Sequence, residues 1–374
     1  MEKRISSKKD KEIIKELWEN SGVYSSDFTE WYFENMFLPE NTVISAEEGT
    51  PMATFAVVPQ KLSISGYEAE TAYISGINIL PEYKSREKNV IGDMMIAVKD
   101  YLLSVVVPRD YRLYEQCGWR VAYEYKQYNI KPTDIPPYSV RGRFSRAEIN
   151  SDTISAVSKV YQKFMQDKNA YTLRNTDDWK LILEDLYDNF GGRCVIYYDS
   201  DNNPAGYMLM IANCKKLSVY EFAYCDRSAY ESMMGFVRGH DVEIAEIKVS
   251  ANDMGYLDFC NNRSAVSLHT FAMARITDVK KVLGIVASKL EDSFKIQVID
   301  RLVEENNKTF ILGGETVETD EEPDVITDIG TLTQMFMGYL SVDDVCRLNL
   351  VSGNAALLKR IFGKKSNYIN MLLL

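Results

Sequence analysis

Ala72–Trp119 reads AYISGINILPEYKSREKNVIGDMMIAVKDYLLSVVVPRDYRLYEQCGW. The run Ala72–Leu80 is apolar and rich in β-formers, and Pro81 stops it, so a strand is expected there. A polar loop carrying Lys84, Arg86 and Lys88 follows, then an amphipathic segment, Val90–Tyr101. A second apolar run, Leu102–Val107, ends at Pro108, and a short helical piece carries Tyr114 up to Gly118-Trp119. Strand, basic loop, helix, strand, helix is the order of an α/β unit that holds a phosphorylated ligand at a helix N-terminus.

The rest of the chain sets limits on this reading. Its 374 residues suit two or three domains with sizeable cores. A formal net charge of −11 argues against nucleic acid as a partner and for tolerance of cationic small molecules. The six cysteines show no CxxC spacing and there are only two histidines, so no metal site is expected. Scattered cysteines and a charged start, MEKRISSKKDKE, point to a reducing cytoplasm rather than secretion. No apolar run approaches membrane-spanning length, so no membrane partner is expected.

Lys11–Asn20 reads as a helix with Ile13, Ile14 and Leu17 on one face. A second helix is expected after Asp27 as its cap, with Phe28, Trp31, Tyr32 and Met36 in a stripe. Asn41–Glu47, Ala53–Ser65 and Tyr67–Leu80 read as strands of a mixed sheet. Three prolines within Ile130–Tyr138 mark a linker. Beyond it the order repeats: helices at Ile154–Met165 and Asp177–Tyr187, strands at Arg193–Tyr198, Gly206–Ile211 and Leu217–Ala223, and a helix at Ala229–Arg238. No basic or glycine-rich phosphate loop occurs in this repeat, so no cofactor is assigned to it. The text changes again from about His269.

Three pieces of the opening stretch, Tyr73–Ile79, Pro81-Glu82-Tyr83 and Leu113–Trp119, resemble the catalytic domain of the enhanced-intracellular-survival family of GNAT N-acetyltransferases. Phe271–Val279, Phe294–Asp300, Thr327–Gly330 and Gly338-Tyr339 resemble that family's C-terminal sterol-carrier-like domain. The resemblance implies an α/β and α+β chain. A GNAT domain spans residues 1–130, a second GNAT-like domain without cofactor 131–268, and a sterol-carrier-protein-like domain 269–374.

It also implies acetyl-CoA as donor and a primary amine as acceptor, of aminoglycoside, polyamine or lysine-side-chain type. The family's oligomers imply a homo-oligomer, dimer or hexamer. By resemblance, Ile77, Asn78 and Ile79 line the pantetheine, Tyr114 protonates the leaving thiolate, and Trp31 lines the amine cavity. The C-terminus, Met371–Leu374, is expected to thread into the first domain, with the Leu374 carboxylate as general base. The family's pyrophosphate loop runs from a basic residue to a glycine three positions on. Starting it at Arg86 makes the loop Arg86, Glu87, Lys88, Asn89, Val90 and Ile91, with Asn89 at the glycine. Asparagine tolerates positive φ, so the loop shape is expected to survive. Starting it at Lys84 puts Glu87 at the glycine instead, where a carboxylate opposes phosphate; the first alignment also keeps Met94 and Met95 on the core face. A scaffold or ligand-binding protein that has lost transfer competes with the enzyme reading, because no glycine precedes Gly92.

Overall fold

The computed structural model describes residues 2–258, 265–288 and 290–369. Up to Ala122 the elements are β1 (Glu2–Ile5), α1 (Lys11–Ser21), α2 (Ser26–Asn35), β2 (Thr42–Glu47), β3 (Thr50–Ile64), β4 (Tyr67–Ile79), α3 (Glu87–Ala97), β5 (Leu103–Val106), α4 (Tyr111–Glu115) and β6 (Arg120–Val121). Next come β7 (Glu124–Ile130), β8 (Arg143–Arg146), α5 (Ser151–Phe164), β9 (Tyr171–Thr172), α6 (Thr176–Asp188), β10 (Arg193–Tyr198), β11 (Pro204–Ala212), β12 (Lys216–Tyr224), α7 (Arg227–Arg238), β13 (Ile244–Ser250) and β14 (Ala265–Thr270). The remainder is β15 (Met273–Ile276), α8 (Val279–Ala287), β16 (Phe294–Ile299), β17 (Thr309–Leu312), β18 (Val317–Thr319), β19 (Val325–Asp328), α9 (Ile329–Phe336), α10 (Val342–Arg347) and β20 (Val351–Gly353).

The chain forms two compact units. One joins the residues up to Ala122 to Phe271–Lys365; the other joins Tyr123–Thr270 to the chain from Ser366. In the first unit, strands run in the order β1-β2-β3-β4-β5-β15-β6. The β2-β3-β4 meander is fixed by two-residue turns. Glu48-Gly49 and Ser65-Gly66 all have positive φ, the hairpin geometry whose twist matches that of the strands. β4 then pairs with β5 in parallel, after the crossover through α3. β15 enters between β5 and β6, antiparallel to both. A further sheet of this unit runs β18-β17-β16-β19-β20. The second unit holds a sheet in the order β14-β7-β13-β12-β11-β10-β8. The proline linker lies just after β7, which pairs into this second sheet.

Packing explains which faces are buried. α3 puts Val90, Ile91, Met94 and Met95 against Phe55, Val57, Ala72 and Ile74 of the first sheet. Each such side chain taken from water contributes about 1.5–3 kcal/mol. On α1 the buried stripe is Ile14, Leu17 and Trp18, while Ile13 is half exposed. That corrects the expectation for Ile13; the space Trp18 fills over the sheet decides the helix rotation. α2 is capped by Ser25, whose side chain accepts from the Phe28 amide, and not by Asp27.

Candidate active site

The site starts from a fault in β4. Thr54 pairs with Asn78 but Ala56 pairs with Ser75, so Gly76 and Ile77 together oppose Phe55. Gly76 takes φ +58 in this bulge. A β-bulge shifts side-chain parity by one residue. Before it, Ala72 and Ile74 face the α3 core; after it, Ile77 and Ile79 do. Asn78 turns to the other face, where its Oδ1 accepts from Ser21 Oγ at 2.8 Å and its Nδ2 donates to the Gly76 carbonyl at 3.1 Å. Asn78 is thus a strut of the bulge, fully buried.

The same region of β4 loses its partner. Pairing with β5 ends at Ile74↔Val106. Among the described residues, no strand covers Ser75–Ile79 on that side. The Leu80 amide donates to the Met52 carbonyl at 3.0 Å, towards β3. By strand alternation the backbone groups of Ile79, and of Ile77, point to the open edge. That edge can pair with an extended, amide-bearing chain.

The stretch read as a phosphate loop has no loop in it. Pro81–Arg86 is a 3-10 helix that runs directly into α3. Asn89 lies inside α3 and is not among the positive-φ residues, which corrects the expected loop shape. Glu87-Lys88-Asn89-Val90 contains no breaker, so the helix simply begins earlier. Val90 and Ile91 send their side chains into the core. Lys88 and Asn89 are exposed in the first turn, while the Glu87 amide donates to the Lys84 carbonyl of the preceding 3-10 turn. Arg86, at the N-cap, makes no side-chain cap and pairs with Glu47 at 2.9 Å. Lys84 and Lys88 form no ion pair with a described residue. Burial and the neighbouring Asp110 raise the Glu87 carboxyl above the usual range, against the pull of Lys84.

Tyr114 sits on α4, in the core cluster that Ile77 and Ile79 also join. Its ring meets Trp119 edge-on at 5.9 Å, and its hydroxyl bonds to no described residue. Burial pushes its phenol well above the ordinary tyrosine value, with Glu87, Cys117 and Tyr24 adding to the shift. It is neutral at any physiological pH. On the other face of β4, Trp18 stacks on Tyr24 at 4.7 Å and on Tyr32 at 4.5 Å. Tyr24 continues to Phe28 at 5.2 Å, and Phe28 to Trp31 at 6.1 Å. Trp31 is therefore the half-exposed outer end of an aromatic row. Leu374 and Met371–Leu373 lie outside the described residues.

A strand edge without a partner among the described residues, a helix N-terminus without a side-chain cap, and two lysines in no ion pair with a described residue fit an acyl-CoA: the first its pantetheine amides, the others its pyrophosphate. Glu87 fits it poorly. Family models identify the class. An acetyltransferase (GNAT) domain matches residues 2–122, and a second such domain matches 171–276. The chain belongs to the GNAT acetyltransferases. A sterol carrier protein domain matches residues 279–370 and completes the arrangement. The class uses an acyl-CoA donor and makes this protein an acetyltransferase.

Solved structures share the whole fold. A conserved protein of unknown function from Enterococcus faecalis, titled a probable N-acyltransferase, is 19% identical with TM-score 0.84, over 99% of this chain and 98% of its own. A GCN5-related N-acetyltransferase from Anabaena variabilis is 19% identical with TM-score 0.83, over 98% of each chain. Eis1 from Mycobacterium abscessus is 16% identical with TM-score 0.76, over 99% of each. No curated protein matches the chain in sequence. No helix among the described residues is long and apolar enough to cross a membrane, and none of their acidic, histidine or cysteine groups clusters to hold a metal ion.

Proposed function

We propose that the first GNAT domain transfers an acetyl group from acetyl-CoA to a primary amine on a small molecule of aminoglycoside or polyamine type, or on a lysine side chain. The donor supplies the thioester carbonyl. Ile77 and Ile79 hold its amide-bearing arm through their open backbone groups. The first turn of α3, with Lys84 and Lys88, neutralises its phosphates. Tyr114 gives its proton to the departing sulfur, and the Leu374 carboxylate takes the proton of the amine. The aromatic row from Trp18 to Trp31 favours a cationic acceptor through its ring faces. The chain works as a homo-oligomer.

The observation that carries this reading is Tyr114: buried, neutral and unbonded, in one cluster with the open strand edge. The test is an acetylation assay against a panel of polyamines, aminoglycosides and lysine peptides, with Tyr114→Phe beside the wild type. Loss of a proton donor is expected to cost on the order of a hundredfold in rate. Undiminished transfer by the phenylalanine variant would overturn the role of Tyr114. One observation favours a second reading, a scaffold impaired in transfer: the carboxylate of Glu87 opens the helix that should meet the phosphates. Calorimetry that finds no binding of CoA would favour it.

A further inference from the structure

Tyr114 stands on a helix of five residues, too short to hold itself. Its last turn is tied from outside. The Tyr114 carbonyl accepts the amides of Cys117 at 3.0 Å and Trp119 at 3.1 Å. The Cys117 carbonyl accepts Arg275 Nε at 2.8 Å. Arg275 comes from β15, far along the chain, and is fully buried. Its guanidinium lies 5.6 Å from the centre of the Trp119 ring, the ring that Tyr114 packs against. The turn has no slack: Gly118 is at φ +88, and a Cβ there would come within 2.8 Å of Ile329 and 3.1 Å of Arg275 Nε.

Arg275 is itself gripped. Its Nη2 donates to both oxygens of Asp300, at 2.7 and 2.9 Å. Asp300 is buried and also accepts the amides of Leu302 and Val303 and the Asn306 side chain. It directly follows β16, within the segment that matches a sterol carrier protein domain. A buried ion pair is weak evidence for stability, since desolvation offsets much of its attraction. Its placement is more telling, because it joins that segment to the helix that carries the acid.

We propose that Arg275 and Asp300 are positioning residues for Tyr114, so that the sterol-carrier segment sets the pose of the proton donor. This rests on the reading of Tyr114 given above. The test is a double-mutant cycle. Arg275→Lys and Asp300→Asn are each made alone and with Tyr114→Phe, and kcat and the KM for acetyl-CoA are measured with an accepted amine. Each single change is expected to lower kcat about tenfold or more and to leave the donor KM within about twofold. In the phenylalanine background the same change should cost less than about twofold, because no proton donor remains to be placed. A structural role alone would keep its full cost there, and that result overturns the proposal. So does unchanged kcat in a folded Asp300→Asn protein, the milder variant, which keeps the side-chain shape should Arg275→Lys fail to fold. Full activity of Tyr114→Phe alone is a separate outcome: it removes the proton-donor reading itself.

Discussion

Gly76→Ala would test the bulge from which the site is built. Gly76 sits at φ +58, where an L-residue costs roughly 1–2 kcal/mol. A Cβ there would lie 2.7 Å from Trp18 Cζ2. Contacts between carbons are comfortable only near about 3.5–4 Å. Trp18 cannot swing away, because Tyr24 and Tyr32 stack on it and its Nε1 donates to Thr54 Oγ1 at 3.3 Å. Overpacking of this kind costs roughly 1–3 kcal/mol. The sum is about 2–5 kcal/mol, unless the bulge flattens. Flattening would exchange the faces of Ile77 and Asn78, burying an amide in the α3 core and turning Ile77 out of it. Either route should lower the melting temperature and weaken binding of CoA. Gly92→Ala is the control: its Cβ would meet nothing within 4 Å, in the middle of α3, so it should hold or raise stability by up to about 1 kcal/mol. The assay is thermal unfolding with calorimetric titration of CoA for wild type and both variants. If Gly76→Ala matches Gly92→Ala in both, the bulge does not hold the strand edge as described.

Other substitutions probe the helix start and the second sheet. Asn89→Gly should lower stability by about 0.3 kcal/mol and leave CoA affinity unchanged, because Asn89 is already helical; a tenfold gain on calorimetry would mean that bound donor drives this residue to positive φ. Glu87→Gln should tighten CoA binding near pH 8 and flatten its pH dependence. The Glu87 carboxyl is raised by burial, so it favours folding most below its unfolded value and loses that contribution as pH rises through the folded one; CoA affinity should fall over the same rise, and a wild-type affinity that does not vary with pH would refute the repulsion. In the second unit, Arg174 and Glu221 form a fully buried pair at 2.9 Å, with the Tyr368 hydroxyl donating to Glu221 at 3.0 Å. Arg174→Met strands that carboxylate and should cost about 3–5 kcal/mol in denaturant unfolding, with most of it recovered on adding Glu221→Leu; a cost below about 1 kcal/mol would show that the pair is not desolvated.

The strands and helices of the first sheet could be read because local signals agreed with tertiary need. Pro81 and Pro108 end apolar runs, and Gly49 and Gly66 sit where the hairpins turn. Ile77, Ile79 and Tyr114 do come together in one cluster. The failures have physical causes. Periodicity could not choose between stripes containing Ile13 or Trp18, because the pocket over Gly76 that selects Trp18 exists only in the folded sheet. The shape at Asn89 was inferred from tolerance of positive φ, yet tolerance is not preference, and the helical sequence around it decided. Gly76 lies within the Tyr73–Ile79 motif and is also a bulge signal, an isolated glycine within a strand. Arg275, Cys117 and Asp300 offered no signal, since the guanidinium joins a carbonyl 158 residues away to a carboxylate 25 residues away.

The second GNAT match provides an internal comparison for the first. Its sheet repeats the key irregularity: a register shift between Leu209 and Met210 faces β12, and β12 parts from β13 after Val219↔Ile247. A splayed edge therefore does not by itself distinguish the two domains. The helix that follows does. α7 is capped by Asp226, whose side chain accepts the Ala229 amide at 2.9 Å. A carboxylate already satisfies that helix N-terminus and would repel a phosphate brought to it. α3 has no such cap: Arg86 holds the N-cap position and Lys84 and Lys88 stand beside it. Asp226→Ser would remove the charge and keep a cap, yet the adjacent cation, Arg227, is already held by Glu231 and Asp258, each at 2.9 Å, whereas Lys84 and Lys88 form no ion pair with a described residue. The contrast favours the first domain as the donor's site, and it makes Glu87 the informative residue there, because its carboxylate, with Asp110 beside it, pushes α3 towards the condition of α7.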